Sequence, residues 1–148
     1  MTPAEARQVR REDFAVLRTL STRWSDDDTY GHVNNVVHYS MFDTAVNGWL
    51  IEASGLDIRR LPAIGLVVET SCQYLGELRF PEMVTAGLAL ERLGDSSVIY
   101  RLALFGSGIE PAAVGRFVHV YVDLHERRPV PVPAEIRAAL ALLVTDHR

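Results

Sequence analysis

A polar segment ahead of the longest helical pattern concentrates the side chains that could do chemistry. It covers residues 26–35 and reads DDDTYGHVNN. A carboxylate can act as a nucleophile or as a general base, and a helix N-terminus offers unpaired N–H groups and the positive end of a dipole. Asp28 precedes Asn35 by one short turn-forming stretch, so its carboxylate can reach the start of that helix. The pair could supply the nucleophile or base and the oxyanion donor that hydrolysis at an acyl carbon needs.

The same residues also allow simpler interpretations. Aspartates are common in turns, and Asp28 and its two acidic neighbours could serve only that purpose. His32 and His38 could form a metal pair, but no third ligand is evident, so we predict no metal site. Cys72 is the chain's one cysteine, which excludes an intrachain disulfide and indicates a reducing compartment. Nothing near Cys72 in the sequence would activate it as a nucleophile.

One long helix and a series of strands must position this segment. Apolar residues recur at helical spacing from Val36 to Ser54, and we expect Gly48 inside this helix to allow close packing. Asn34 and Asn35 are suitable N-cap residues, and Gly55 is suited to the helix end. Alternating patterns predict strands over residues 14–24, 64–75, 83–93, 97–105 and 113–125.

This order of elements predicts an α+β fold, with one five-stranded antiparallel sheet and one buried helix. Pro133 can open a short C-terminal helix. Residues 1–13 are expected to form a polar N-terminal arm, and residues 14–148 a single domain. On the last strand we expect His119 and His125 to lie on the sheet surface.

Composition excludes several classes of protein. The 148 residues carry a net charge of −4, and all 15 basic residues are arginine, so a nucleic acid is not the expected main partner. The lack of lysine excludes the usual phosphate-binding loop. No apolar run approaches the roughly 20 residues that span a bilayer, and residues 1–13 lack the apolar core of a signal peptide. We therefore expect a cytoplasmic protein with no membrane partner.

The motif Asp-x-Asp-x-x-Gly-His-Val-Asn-Asn, followed by a helix that carries tyrosine, resembles that of the hotdog-fold acyl-CoA thioesterases. It is similar to the 4-hydroxybenzoyl-CoA thioesterase-like branch and also to plant acyl-carrier-protein thioesterases. The resemblance covers roughly residues 14–134. It implies a sheet wrapped around one long central helix, and hydrolysis of a fatty or aromatic acyl-CoA to free acid and coenzyme A. The sequence has no cluster of metal ligands at tetrahedral spacing and no nucleotide-phosphate loop, so we expect no cofactor beyond the coenzyme A of the substrate.

The resemblance also implies roles for particular residues. Asp28 matches the catalytic carboxylate, and the backbone N–H of Asn35 matches the group that polarises the thioester carbonyl. His32 and Glu69 match residues that the plant enzymes place in the site. The plant enzymes have asparagine where this chain has Tyr30, and many relatives have glutamate at the position of Asp43. The expected substrate-binding residues are Tyr30, Tyr39, Phe42, Val67, Ser96 and Ser97.

Some of these assignments have alternatives within the sequence. Glu69 is out of phase with Ile64 and Leu66 on its strand, and it could simply be exposed. Ser96 and Ser97 follow a hairpin and could serve only the turn. Two other functions also stay open, a hotdog-fold dehydratase or hydratase and a non-catalytic acyl-CoA-binding module.

A single open sheet leaves edge strands that must be protected. Long apolar edges cause aggregation unless they are paired. Pairing across a twofold axis would continue the sheet into a second copy. We therefore expect a homodimer with active sites at the subunit interface, or a tetramer as in hotdog relatives.

Overall fold

The computed structural model describes residues 1–144 of the protein, and the end of the predicted domain, residues 145–148, lies outside the described residues. The predicted α+β hotdog architecture is confirmed, because a five-stranded antiparallel sheet packs against one long helix. The strands are β1 (Val16–Ser21), β2 (Ala63–Tyr74), β3 (Met83–Leu93), β4 (Ser97–Phe105) and β5 (Ala113–Asp123), and the helices are α1 (Pro3–Arg7), α2 (Asn35–Ser54) and α3 (Ala134–Leu140).

The strands lie in the order β1-β3-β4-β5-β2, so β1 and β2 form the two edges. β2 and β5 pair over 11 registered positions, with a β-bulge at Val68 between Val67 and Glu69. A bulge inserts one extra residue and shifts the alternation of side chains beyond it. The bulge therefore decides which face of the sheet the second half of β2 presents.

Helix α2 begins and ends with the local chemistry that its sequence predicts. The Asn34 side chain caps it by accepting from the Val36 N–H at 3.0 Å, and Gly55 ends it with a left-handed φ of 71°. Asn and Gly are favoured at these positions because Asn replaces a missing acceptor and Gly adopts positive φ without a Cβ clash. The cap fixes the position of the first turn, which borders the polar segment.

The main core lies between α2, α3 and one face of the sheet. Phe42 and Val46 of α2 are fully buried, and so are Leu88 of β3 and Leu102 of β4. Gly115 of β5 lies directly beneath the Phe42 ring, and a Cβ there would come within 2.7 Å of the ring. Such an approach requires glycine and lets the helix settle closely on the sheet.

Gly48 of α2 is also a point of close approach, and the group that approaches it is again a side chain. Arg18 of β1 crosses the helix there, and a Cβ on Gly48 would lie 3.2 Å from its Nη2 atom. The Arg18 guanidinium then makes two hydrogen bonds to Glu52, of 2.7 and 3.1 Å. The glycine thus opens a passage for an ion pair that links β1 to α2.

The N-terminal segment is folded, which corrects the expectation of a polar arm over residues 1–13. Helix α1 has a capping box between Thr2 and Glu5, and Ala6, Val9 and Phe14 are buried. They cover the sheet face opposite α2, where they form a second apolar cluster with Ala89, Ala103, Phe105 and Val114. Phe14 was expected to begin β1. It lies instead before the strand, and its side chain packs on this outer face.

His119 also differs from its prediction as a sheet-surface residue. The alternation of β5 turns Phe117, His119 and Tyr121 toward α2, while the valines between them face outward. His119 is therefore 3% exposed. In the sequence, the valines of β5 look like the residues that face the core. They lie instead on the outer face of the sheet, where apolar side chains are favoured because the N-terminal segment covers part of that face.

No helix among residues 1–144 is both long enough and apolar enough to cross a membrane.

The outer cluster generates a stability prediction. Phe14 packs edge-to-face on Phe105, with ring centroids 6.1 Å apart, and it covers Gly87. We expect Phe14→Ala to lower the free energy of unfolding by about 3–5 kcal/mol, because it leaves a cavity between α1 and the sheet. Leu17→Ala is the control, since Leu17 is 47% exposed and should change the free energy by less than about 0.5 kcal/mol. Urea denaturation of both variants measures the difference, and equal small effects would contradict the packing described.

Candidate active site

The first of the three consecutive aspartates is a structural residue. The Asp26 side chain is buried, accepts from the Arg23 N–H at 2.7 Å, and pairs with the Arg23 guanidinium at 2.8 Å. Its backbone carbonyl accepts from the Asn34 N–H at 2.9 Å. A buried carboxylate is stable only when it is paired in this way. Asp26 therefore attaches the polar segment to the residue that caps α2.

Asp27 anchors the same segment on its other side. Its Oδ1 atom accepts from the Phe80 N–H at 3.1 Å. Nearby, the Val33 N–H donates to the Leu78 carbonyl at 2.7 Å. The segment is therefore held against the chain that connects β2 to β3.

Asp28 is the aspartate whose carboxylate remains available. Its Oδ1 atom accepts from the Tyr30 N–H at 2.8 Å, and its backbone N–H donates to the His32 carbonyl at 3.0 Å. Gly31 completes the turn with a φ of 82°, which favours glycine. Among the described residues, nothing donates to Oδ2 of Asp28. The turn thus holds the carboxylate in one orientation and leaves an oxygen free.

The start of α2 presents a free donor. The Val36 N–H is capped by Asn34, and the Val37 N–H donates to the Asn34 carbonyl at 2.9 Å. The Asn35 N–H has no acceptor within the described chain. A free N–H at a helix N-terminus can bind an oxyanion, helped by the helix dipole.

A cleft of about 440 Å³ brings these groups together. Asp28, His32 and Asn35 all line it, as the sequence motif predicts. Further residues that line the cleft include Tyr74 at the end of β2, an expected pocket residue, and two that were not predicted as site residues, His38 of α2 and Glu77 just beyond β2.

His38 is the buried histidine of the cleft. It is 3% exposed, its Nδ1 lies 3.3 Å from the Asn34 carbonyl oxygen, and the ring packs edge-to-face on Tyr74. Burial lowers the pKa of His38, so the ring is neutral at pH 7 with Nδ1–H donating to the carbonyl. One feature of the sequence could have identified His38 as a site residue. It lies one helical turn after Asn34, on the side of α2 that carries the cap.

His32 lies closer to solvent in the same cleft. Its Nε2 atom is 4.0 Å from a carboxylate oxygen of Glu77, and its ring stacks with Tyr30. Tyr30 is 83% exposed and stands at the rim. These two residues can therefore contact a substrate at the mouth of the cleft.

Glu69 does not reach the cleft within the single chain. The bulge at Val68 shifts the alternation of β2, so Glu69 pairs with Val118 and faces away from α2. There it lies 3.9 Å from Arg116 on the outer face. The sequence pattern could not show this because it assumed unbroken alternation through residue 69.

The predicted substrate-binding residues other than Tyr30 separate into three groups. Tyr39 of α2 stacks on Phe117 of β5, and Val67 of the edge strand β2 pairs with His119 and is 46% exposed. Phe42 is fully buried in the core. Ser96 and Ser97 lie at the β3–β4 hairpin, at the opposite end of the sheet from Asp28, and the Ser96 carbonyl accepts from the Tyr121 N–H. These two serines are held by the turn and are not part of the cleft.

Two further features limit the chemistry. Burial raises the pKa of Cys72 to about 11, so its thiol stays protonated near neutral pH. Among residues 1–144, no three histidine, cysteine, aspartate or glutamate side chains are grouped as metal ligands would be.

Comparison with known proteins agrees with this geometry. A family model described as the thioesterase-like superfamily matches residues 22–140. The chain is similar to the PA5185 protein of Pseudomonas aeruginosa strain PAO1, with 51% identity, a TM-score of 0.89, and coverage of 94% of this chain and 98% of that one. It is also similar to the PA2801 protein of Pseudomonas aeruginosa, with 30% identity, a TM-score of 0.77, and coverage of 86% and 98%.

A more distant structure shares the fold alone. Slr0204, a 1,4-dihydroxy-2-naphthoyl-CoA thioesterase from Synechocystis, has 15% identity, a TM-score of 0.78, and coverage of 84% of this chain and 94% of its own. No curated protein sequence matches the chain.

The neutral, buried His38 predicts a pH dependence of stability. Its pKa is below 6.5 in the folded protein and close to 6.5 when unfolded, so below pH 6.5 the unfolded state binds the proton first. We therefore expect its contribution to make the free energy of unfolding fall as pH decreases below about 6.5. His38→Phe should remove that part of the decrease, and His125→Phe, at an exposed position, should not. Urea denaturation between pH 5 and 8 measures both, and identical pH profiles for the wild type and His38→Phe would contradict the buried neutral state.

Proposed function

The chain belongs to the thioesterase-like superfamily and is a thioester hydrolase, and from this premise we propose that it hydrolyses an acyl-CoA to a free acid and coenzyme A. The observation that carries this proposal is the cleft in which the Asp28 carboxylate and the free Asn35 N–H occur together. One group can activate the attack on the thioester carbonyl, and the other can stabilise the oxyanion that results.

The proposed reaction begins with the thioester carbonyl oxygen accepting a hydrogen bond from the Asn35 N–H. The free oxygen of Asp28 then has two possible roles. It can take a proton from a water molecule whose oxygen attacks the carbonyl carbon, after which the C–S bond breaks and the departing coenzyme A thiolate takes that proton from Asp28. It can instead attack that carbon itself, form an anhydride with the acyl group and release the coenzyme A thiolate, after which water hydrolyses the anhydride. Both routes end with a carboxylic acid and a thiol.

The histidines of the cleft support this chemistry by position. His38 donates to the Asn34 carbonyl and so stabilises the turn of backbone that presents the Asn35 N–H. His32 stands at the more exposed side, where it can orient the attacking water or the substrate. We expect replacement of His32 to reduce turnover less than replacement of Asp28.

We propose that the acyl group lies in a groove between α2 and β2, along Tyr39 and Val67. These side chains are apolar or aromatic and suit both aliphatic and aromatic acyl groups. A coenzyme A thioester as substrate is supported by the Synechocystis protein of the same fold, which has a substrate of that class in its name.

We further propose a homodimer through β2, with a tetramer as a possible higher assembly. β2 spans 12 residues and β1 only 6, and β2 exposes Leu66, Val67 and Val68 at its free edge. Such an edge needs a second strand to satisfy its backbone groups and cover its side chains. A second copy on β2 would also close the groove that leads to the cleft.

The proposal also includes the cofactor requirement and the cellular location of the protein. We propose that the reaction needs no cofactor other than the coenzyme A of its substrate, and that the protein works in the cytoplasm, where its lone cysteine stays reduced.

The central prediction compares two neighbouring aspartates. We expect Asp28→Asn to lower kcat by at least about 10²-fold, because the amide is neither a nucleophile nor a base. Asp27→Asn is the matched control, since an amide oxygen can still accept from the Phe80 N–H, and its kcat should stay close to that of the wild type. Steady-state kinetics with a panel of acyl-CoA substrates measures both.

The two variants also separate the alternatives. Asparagine serves in turns about as well as aspartate, so both variants should fold alike. Equal, small effects on kcat would mean that Asp28 only shapes the turn, and the catalytic assignment would fail.

The assembly proposal has its own test. We expect Val68→Arg to shift the protein from dimer to monomer and to lower activity about tenfold or more, because a charge at the free edge opposes pairing. Leu17→Arg places the same charge on the other edge strand, β1, and should leave the assembly intact. Analytical ultracentrifugation with parallel activity assays measures this. A wild-type protein that is a fully active monomer at micromolar concentration would contradict the proposal.

A further inference from the structure

Tyr74, at the end of β2, connects the edge of the sheet to the first residue of α2. Its hydroxyl donates to the backbone carbonyl of Asn35 at 2.8 Å. In an α-helix such a carbonyl accepts from the N–H four residues later, and its oxygen has a second lone pair for another donor. The helix therefore does not need Tyr74 to satisfy this carbonyl. The additional bond acts on the residue that carries the free N–H of the cleft.

Both peptide groups that flank the Cα atom of Asn35 are held by side chains. The Nδ1 atom of His38 lies 3.3 Å from the Asn34 carbonyl oxygen, and this carbonyl belongs to the same planar peptide group as the Asn35 N–H. Tyr74 holds the next peptide group through the Asn35 carbonyl. Because each peptide group is planar, fixing the two carbonyls fixes the direction in which the Asn35 N–H points.

The two side chains also contact each other. The rings of His38 and Tyr74 meet edge-to-face, with centroids 4.9 Å apart and planes at 82°. Edge-to-face contact between aromatic rings has a preferred geometry, so the Tyr74 ring limits rotation of the imidazole whose Nδ1 faces the Asn34 carbonyl. Tyr74 thus acts on the Asn35 N–H by two routes, through its own hydroxyl and through His38.

The protonation state of Tyr74 suits a permanent donor. Partial burial raises the pKa of its hydroxyl above the usual value, so the group keeps its proton near neutral pH. The side chain is nevertheless 43% exposed, and a hydroxyl there could bond to solvent alone. It is directed instead at the Asn35 carbonyl, in the wall of the cleft to which both residues contribute.

We propose that Tyr74 is a positioning residue of the thioesterase reaction, which fixes the peptide group that presents the Asn35 N–H to the thioester carbonyl. This inference rests on the proposed function, in which that N–H stabilises the oxyanion. A donor that is fixed in advance stabilises the transition state without having to reorganise. Releasing it therefore lowers kcat and leaves the binding of the substrate nearly unchanged.

The first arm of the test is kinetic. We expect Tyr74→Phe, which keeps the ring and loses the hydroxyl, to lower kcat about tenfold and to change KM less than about twofold, because a small displacement of a catalytic donor removes much of its effect. Tyr74→Leu removes the ring as well, and its kcat should fall further because His38 loses its edge-to-face contact. Tyr121→Phe is the matched control. It removes a tyrosine hydroxyl from the same face of the sheet but outside the cleft, and should keep the wild-type kcat and KM.

The second arm measures the Asn35 N–H itself and needs no substrate. In isotope-labelled wild-type protein we expect a sharp amide resonance for Asn35 in the NMR spectrum. In Tyr74→Phe this resonance should broaden through motion on the microsecond-to-millisecond timescale, which relaxation dispersion detects. Tyr121→Phe should leave it sharp. A tyrosine that only stabilised the fold would lower the unfolding temperature without this local change.

The outcomes separate this inference from the proposed function. A lower kcat at a nearly unchanged KM, together with a broadened Asn35 amide in Tyr74→Phe, would support the positioning role. Hydrolysis by Tyr74→Phe with the wild-type kcat would overturn the inference and leave the proposed function standing. A rise in KM alone would do the same, since the hydroxyl would then bind the substrate. If the folded wild type hydrolysed no acyl-CoA, the proposed function would fail; a broadened amide in Tyr74→Phe would still support the hold of Tyr74 on the Asn35 peptide, and an unchanged one would overturn it.

Discussion

The buried carboxylate of Asp26 is the interaction on which the arrangement of the cleft depends. Its side chain holds Arg23, and its carbonyl holds the N–H of Asn34, the residue that caps α2. These contacts fix the position of the polar segment relative to the start of α2 without using any of the groups proposed to do chemistry. With Asp27 attached on the opposite side, the turn that follows the two residues can present Asp28 without further support. Two aspartates thus serve the structure so that the third can remain available.

The rest of the fold follows from the need to bury α2. A helix with apolar residues on most of its surface requires cover over a wide angle, and the sheet, α3 and Arg18 together supply much of it. The side of α2 toward β2 is the least covered, because the middle of β2 is exposed along its length. Packing on the other sheet face, with Phe14 over Gly87, gives the same strands a second apolar cluster. The sheet is therefore stabilised from both faces at β3 and β4, and least at β2.

Sequence alone predicted those parts of the fold in which local pattern and tertiary need agree. The bounds of β3 and β4 match their alternating patterns, and α2 begins within one residue of its predicted start. The prediction was wrong for Phe14, because an apolar residue next to a strand can belong either to the strand or to the segment that packs over the sheet. It also missed the reversal of Glu69, since a bulge depends on pairing with β5 and leaves no mark in an apolar run. The grouping of Asp28, His32 and Asn35 in one cleft was foreseeable, because all three lie in one short segment.

The position of β4 in the sheet has a consequence for how the molecule opens. β4 pairs with a strand on each side, and its second half is covered on both faces, whereas β2 has one partner and an exposed face. Amide protons of β4 can exchange with solvent only when much of the domain unfolds, while those of β2 need only a local opening that costs far less free energy. The centre of the sheet is thus well protected from hydrogen exchange, and its edge at β2 is weakly protected. Tyr74 at the end of β2 lines the cleft, so a ligand can be admitted there by local fluctuation while the core stays folded.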